Sequence, residues 1–150
     1  MAATTFDPVL ILLQIVALQS LYYVCLGTCL VTLHSIMSEP LSMDQVFSGD
    51  SVNFVSVTGN MNVVSILLAS VGGAYVMSTV VDRARKCVDF TFTIYFVHVA
   101  ICTMYEEFPL QWEWWVVNVF GSVAMASLGE FLCAQREMED IPLYSSSTRK

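Results

Sequence analysis

The residues best placed to do chemistry stand inside long apolar stretches: Asp89, His98 and Glu130, with the amides Gln14, Gln19 and Asn118. An ionisable group in such a place is costly and raises a functional question by default. His98 with an acid beside it would suit a proton relay or an ion site. A relay needs a chain of ionisable groups, and Asp89 lies nine residues from His98. At 100° per residue the two point to opposite faces of a helix. The spacing predicts structural roles instead. His98 and Gln19 fall at about the same depth, roughly 15 Å from one membrane edge at 1.5 Å per residue. They are expected to hydrogen-bond across helices, as interhelical glue. Asp89, three residues after Lys86, is expected to cap the free N–H groups of its helix's first turn. Glu130 is expected to pair with Arg83 or Arg85, or simply to reach the headgroups. Gln14, Gln19 and Asn118 are expected to donate between helices. His34, near the opposite edge, needs no special role. A small polytopic transporter or channel using His98, Asp89 and Glu130 is the alternative function.

No catalytic or phosphate-binding pattern occurs: no HExxH, no GxSxG, no phosphate loop and no EF-hand loop. The chain is read as a non-enzyme with no cofactor, no metal and no small-molecule substrate. The five cysteines (Cys25, Cys29, Cys87, Cys102 and Cys133) are odd in number, form no CxxC and mostly lie in apolar runs. That supports neither a disulfide framework nor a zinc site. Cys25 and Cys29, one helical turn apart, read as small packing residues. Cys87 and Cys133 read as free thiols, with palmitoylation as the other possibility.

The elements that must position these residues are membrane spans. Of 150 residues, 56% are apolar and only 13% charged; a soluble domain carries about 25% charged residues. From Val9 to Ser38 there is no Asp, Glu, Lys or Arg, which exceeds the roughly 20 apolar residues a spanning helix needs. That run is also too long for the h-region of a cleaved signal peptide and has no basic residue before it, so it reads as a retained span. The expected fold is all-α, a single four-span transmembrane bundle. Spans run over about 9–37, 61–81, 87–105 and 112–134, followed by a tail over 135–150. Asp7 and Pro8 suit the cap and first position of the first helix. Ser65, Ala69 and Gly73 form a small-residue stripe for close helix packing. Trp112, Trp114 and Trp115 set the start of the fourth span at an interface. The 41–60 loop mixes acids with apolar residues and is expected to lie on the membrane surface. Pro142 and the Ser run argue against a helical tail.

Orientation follows from six basic residues. Arg83, Arg85 and Lys86 fall in the second turn, and Arg136, Arg149 and Lys150 in the tail; the other two loops have none. The positive-inside rule then puts both termini in the cytosol. A net charge of −7, with no basic surface, excludes nucleic acid as a partner.

Several motifs in order carry a resemblance. Phe6-Asp7-Pro8, Leu10-Ile11, Gln14-Ile15, Tyr22-Tyr23 and Leu26-Gly27 open the chain. Lys86-Cys87-Val88-Asp89-Phe90-Thr91 with His98, Trp114-Trp115, Gly129-Glu130-Phe131-Leu132-Cys133, Arg136-Glu137-Met138 and Ile141-Pro142-Leu143 follow. Together they resemble the SYS family of Golgi membrane proteins. The resemblance implies a multi-pass protein of the trans-Golgi membrane. It would recruit an ARF-related small GTPase, whose acetylated N-terminus takes part, and support traffic between endosomes and Golgi. Arg83, Arg85, Lys86, Ile141, Pro142 and Leu143 are then the expected cytosolic contacts.

Overall fold

The computed structural model describes residues 8–81 and 83–139. The protein is an all-α membrane protein. Four helices are long and apolar enough to cross a bilayer: α1 (Pro8–Met37), α3 (Val57–Val80), α4 (Ala84–Tyr105) and α5 (Trp112–Glu139). A four-residue helix, α2 (Asp44–Phe47), and a 3₁₀ turn (Gly49–Ser51) lie between α1 and α3.

α1 is apolar on all sides, the mark of a helix surrounded by lipid. Only one stripe of it is buried: Leu18, Tyr22, Leu26, Leu30 and His34. The fourfold spacing is a single ridge laid mainly against α3. With 30 residues it measures about 45 Å at 1.5 Å per residue. That is longer than the ~30 Å hydrocarbon layer, so α1 tilts or protrudes. Its end is fixed by a left-handed residue, Ser38 (φ 57°). Glu39 N–H donates to His34 O (3.1 Å) and Ser38 N–H to Ser35 O (3.4 Å), the paired bonds of a Schellman stop.

α3 is the centre of the bundle, packing on α1 along one face and α5 along another; α5 in turn packs on α4, and α4 touches α1 only lightly. Lipid offers no hydrophobic drive between helices, so close backbone approach has to hold them. Ser65, Ala69 and Gly73 supply it as expected, all buried in the contact. Ser70 reaches across to α4, where its hydroxyl bonds Tyr95 Oη at 2.8 Å. That pair lies against Gly121 of α5. A Cβ there would sit 2.8 Å from both hydroxyl oxygens.

The start of α1, the α3–α4 turn and the end of α5 share one end of the bundle, here the turn end. The opposite, loop end is closed by a folded lid. Val52 is buried, Phe47 packs between Tyr23 and Tyr105, and Phe54 packs on Trp112. Tyr105 donates to Asp44 (2.9 Å), and Gln111 donates to Asp50. The 41–60 segment is thus part of the fold, bound to the tops of α4 and α5.

Three boundaries differ from those read off the sequence. α3 starts at Val57, four residues before 61, because the Ser56 hydroxyl caps it by accepting from Gly59 N–H (2.9 Å). Gly59 allows this, since any Cβ would collide with the Asn53 backbone. α4 starts at Ala84, so Arg85 and Lys86 are helical. α5 runs on to Glu139, with residues 135–138 exposed. Hydropathy marks where lipid ends, and these helices continue past it. The Asp7 cap and the segment around Pro142 lie outside the described residues.

Candidate functional site

His98 is buried at mid-helix in α4. Its Nδ1 and the Tyr23 hydroxyl share a hydrogen bond of 3.0 Å. Its ring stacks on Trp114 (centroids 6.1 Å, interplanar 14°), and Cys102 Sγ lies 3.6 Å from Nε2. The expected Gln19–His98 bond is therefore corrected. Tyr23, one turn further along α1, takes that position because its longer phenol spans the gap. The Gln19 amide lies beside the Tyr23 hydroxyl without a hydrogen bond of its own. Asn118 also departs from expectation. Its amide donates within α5 to Trp114 O (2.9 Å), and its Oδ1 is buried without a partner. Among the described residues no acid touches His98, and no three or more His, Cys, Asp or Glu side chains gather as metal ligands. The arrangement around His98 is one of aromatic packing with a single tether to α1.

His34 has more to do than its position in the sequence suggested. It is buried and donates from Nε2 to Asn62 Oδ1 (3.2 Å), while Asn62 Nδ2 donates to Ser51 O (2.7 Å). The relay ties α1, α3 and the lid together.

A second set of specific contacts lies at the turn end. A helix leaves its last carbonyls and first N–H groups unpaired. At the α3–α4 turn, side chains from the other two spans satisfy them. Arg136 Nη1 donates to Ser78 O (2.6 Å). Gln14 Nε2 donates to Val80 O (3.4 Å), the one expected interhelical amide bond that forms. Glu137 Oε1 accepts from Ala84 N–H (3.1 Å). The signs match the helix dipoles: a cation at the C-terminus of α3 and an anion at the N-terminus of α4. Beneath them, the free thiols of Cys87 and Cys133 meet at 3.0 Å, both buried.

Two expectations are corrected here. The N-terminus of α4 is capped by Glu137, from a distant helix, and not by Asp89, which is exposed one turn deeper. Glu130 is exposed on α5 and pairs with neither Arg83 nor Arg85 among the described residues. Sequence reasoning counted Arg136 only as a marker of sidedness and missed Glu137. The available signal was the adjacent Arg-Glu pair at the end of the last span, where opposite charges can reach two helix termini. With the turn held this way, Arg83, Arg85 and Lys86 are exposed on it. Ile141, Pro142 and Leu143 lie outside the described residues.

Comparison with known proteins agrees with a chain embedded in the membrane. Residues 1–143 match the model of the SYS1 family, described as "Integral membrane protein S linking to the trans Golgi network". The chain is similar to the Protein SYS1 homolog of Dictyostelium discoideum, with 38% identity over 138 residues, covering 92% of this chain and 60% of that protein. It thus spans about three-fifths of that relative's length. The Protein SYS1 homolog of Nematostella vectensis is 34% identical over 145 residues, covering 97% and 92%. Protein SYS1 of Saccharomyces cerevisiae is 25% identical over 138 residues, covering 91% and 68%. No solved structure matches the chain.

Proposed function

The chain belongs to the SYS1 family of integral membrane proteins, and from that premise we propose that it is a receptor of the trans-Golgi membrane. It recruits an ARF-related small GTPase with an acetylated N-terminus and so supports traffic between endosomes and Golgi. The turn end faces the cytosol, because the basic residues of the chain gather there and in the tail. A single myristoyl chain gives only marginal, reversible membrane binding, and an acetyl group offers far less apolar anchor. Such a GTPase needs a protein docking surface.

The observation that carries this reading is the pinned α3–α4 turn. Arg83 on the turn and Arg85 and Lys86 in the first turn of α4 stand exposed, and the helix ends flanking the turn are bonded to Gln14, Arg136 and Glu137. A surface fixed before binding loses little conformational entropy when a partner docks. The Ile141-Pro142-Leu143 segment, just beyond α5, adds apolar contacts. The test is charge reversal at Arg83, Arg85 and Lys86 combined with deletion from 140 onward. Localisation and sidedness are checked in the same cells, since the turn also sets topology. GTPase recruitment to the Golgi is expected to fail while the protein itself stays in place. Recruitment that persists refutes the reading.

A further inference from the structure

α1 and α4 barely touch at the turn end, and a cleft of about 210 Å³ opens between them. Ile11, Ile15 and Phe90 form its apolar walls, and Lys86, Asp89 and Thr93 complete the lining. The Thr93 hydroxyl is already bonded, to Asp89 O (2.8 Å). The two charges are not. Neither Lys86 nor Asp89 has an ion pair among the described residues, although they stand one turn apart. Asp89 lies about one helical turn deeper than Lys86, at 1.5 Å per residue, on a span. An unpaired carboxylate there is costly unless something in the membrane neutralises it.

We propose that this cleft is a binding site for a phospholipid of the ethanolamine class, with an acyl chain against Ile11, Ile15 and Phe90 and the head group on Lys86 and Asp89. Charge complementarity selects the occupant. A purely anionic head group would satisfy Lys86 and be repelled by Asp89; a simple cation would do the reverse. A zwitterionic head group answers both, its phosphate on the Lys86 ammonium and its amine on the Asp89 carboxylate. Among zwitterions, ethanolamine has N–H donors and choline has none, and a carboxylate held at a lipid-facing cleft gains most from a charge-assisted hydrogen bond. A serine head group adds a second carboxylate close to Asp89 and is disfavoured. The α1 side of the cleft is apolar and the α4 side carries the two charges beside Phe90 and Thr93, so one occupant meets both kinds of surface. The site shares Lys86 with the proposed docking surface but does not depend on that reading.

The experiment is lipid competition on the full-length protein in detergent. Ethanolamine, choline, serine and phosphatidic acid lipids with the same acyl chains are supplied in equal amounts, and retained lipid is counted by native mass spectrometry. The unmodified protein is expected to retain ethanolamine lipid about fivefold over choline lipid, the upper end for a partly exposed ion pair. Asp89→Asn is expected to abolish that preference while still retaining phospholipid. Lys86→Gln is expected to weaken retention of all four. Equal retention of ethanolamine and choline lipids by the unmodified protein overturns the proposal, as does preference for serine lipid or phosphatidic acid. A preference that survives Asp89→Asn overturns it too. Because the first comparison uses the unmodified chain, the outcome does not hang on how a variant folds.

Discussion

Gly121 is the position where one methyl group separates two opposite outcomes. A Cβ at residue 121 would stand 2.8 Å from Ser70 Oγ and 2.8 Å from Tyr95 Oη, two groups hydrogen-bonded to each other across α3 and α4. Forcing extra volume into a packed core costs about 1–3 kcal/mol. Losing an interhelical hydrogen bond in a membrane costs about 0.6 kcal/mol on average. Replacing glycine by alanine in a helix returns at most about 1 kcal/mol. The sum puts Gly121→Ala at about 1.5 kcal/mol destabilising, close to tenfold in the folding equilibrium. Gly27 is the control, because a Cβ there meets nothing within 4 Å. Gly27→Ala keeps only the helix-propensity gain and should be neutral or stabilising. The assay is unfolding in mixed micelles of mild and denaturing detergent, followed by tryptophan fluorescence, with Trp114 buried as the reporter. Adding Ser70→Ala and Tyr95→Phe to Gly121→Ala removes both obstructing oxygens and should recover much of the loss. If Gly121→Ala tracks Gly27→Ala, the three-helix contact does not hold the bundle in the way described.

Ser38→Gly removes the strain of a left-handed non-glycine residue and should raise the unfolding midpoint by a shift equivalent to about 1 kcal/mol. Asn62→Ala breaks the relay from His34 to Ser51 O; leaving a buried partner unsatisfied costs about 1–3 kcal/mol, and hydrogen exchange should accelerate across residues 44–56. Tyr23→Phe removes the tether on His98 and should destabilise the bundle by ~0.6–1.7 kcal/mol. Neither it nor the unmodified protein should carry ions across liposomes; protein-dependent flux abolished by His98→Ala would revive the transport alternative. Exchanging the charges at 136 and 137, as Arg136→Glu with Glu137→Arg, leaves net charge and sidedness signals unchanged but sets each charge against the wrong helix terminus. Trypsin should then cut faster at Arg83, Arg85 and Lys86 in solubilised protein, and GTPase recruitment should drop. Unchanged cleavage would mean that the pair does not hold the turn.

The four spans were legible because lipid imposes a length and forbids charge, and both are properties of a sequence window. The α3 stripe of Ser65, Ala69 and Gly73 was legible for a similar reason: helical period and side-chain size are local. The polar contacts were not. Which group reaches His98 depends on how α1 is rotated and shifted against α4, and a difference of one turn exchanges Gln19 for Tyr23. The cap on α4 comes from Glu137, 53 residues away, whereas the local rule pointed to Asp89. The lid was missed because its apolar residues read equally well as a surface segment. Only the α4–α5 partners Tyr105, Gln111 and Trp112 decide that it folds onto the bundle.

The distribution of polar contacts bears on function. A transporter would concentrate its ionisable groups along a path through the bilayer. Here Asp89 and Glu130 lie inside spans but on no shared path with His98 among the described residues, and the mid-bundle polar residues His98, Tyr23, Ser70 and Tyr95 bond across helices. The turn end is where two other spans, α1 and α5, spend side chains on the helix ends flanking one short connection. A three-residue link between two membrane helices does not need that much support merely to reverse the chain, since its length already forces neighbouring helices together. What the added bonds do is hold the helix ends from which Arg83, Arg85 and Lys86 extend. Fixing charged side chains on a turn brings little stability of its own, because exposed ion pairs contribute about 0–1 kcal/mol. It reduces what a partner must order on binding. The pattern suits the docking role proposed for this turn, with the membrane bundle as its support.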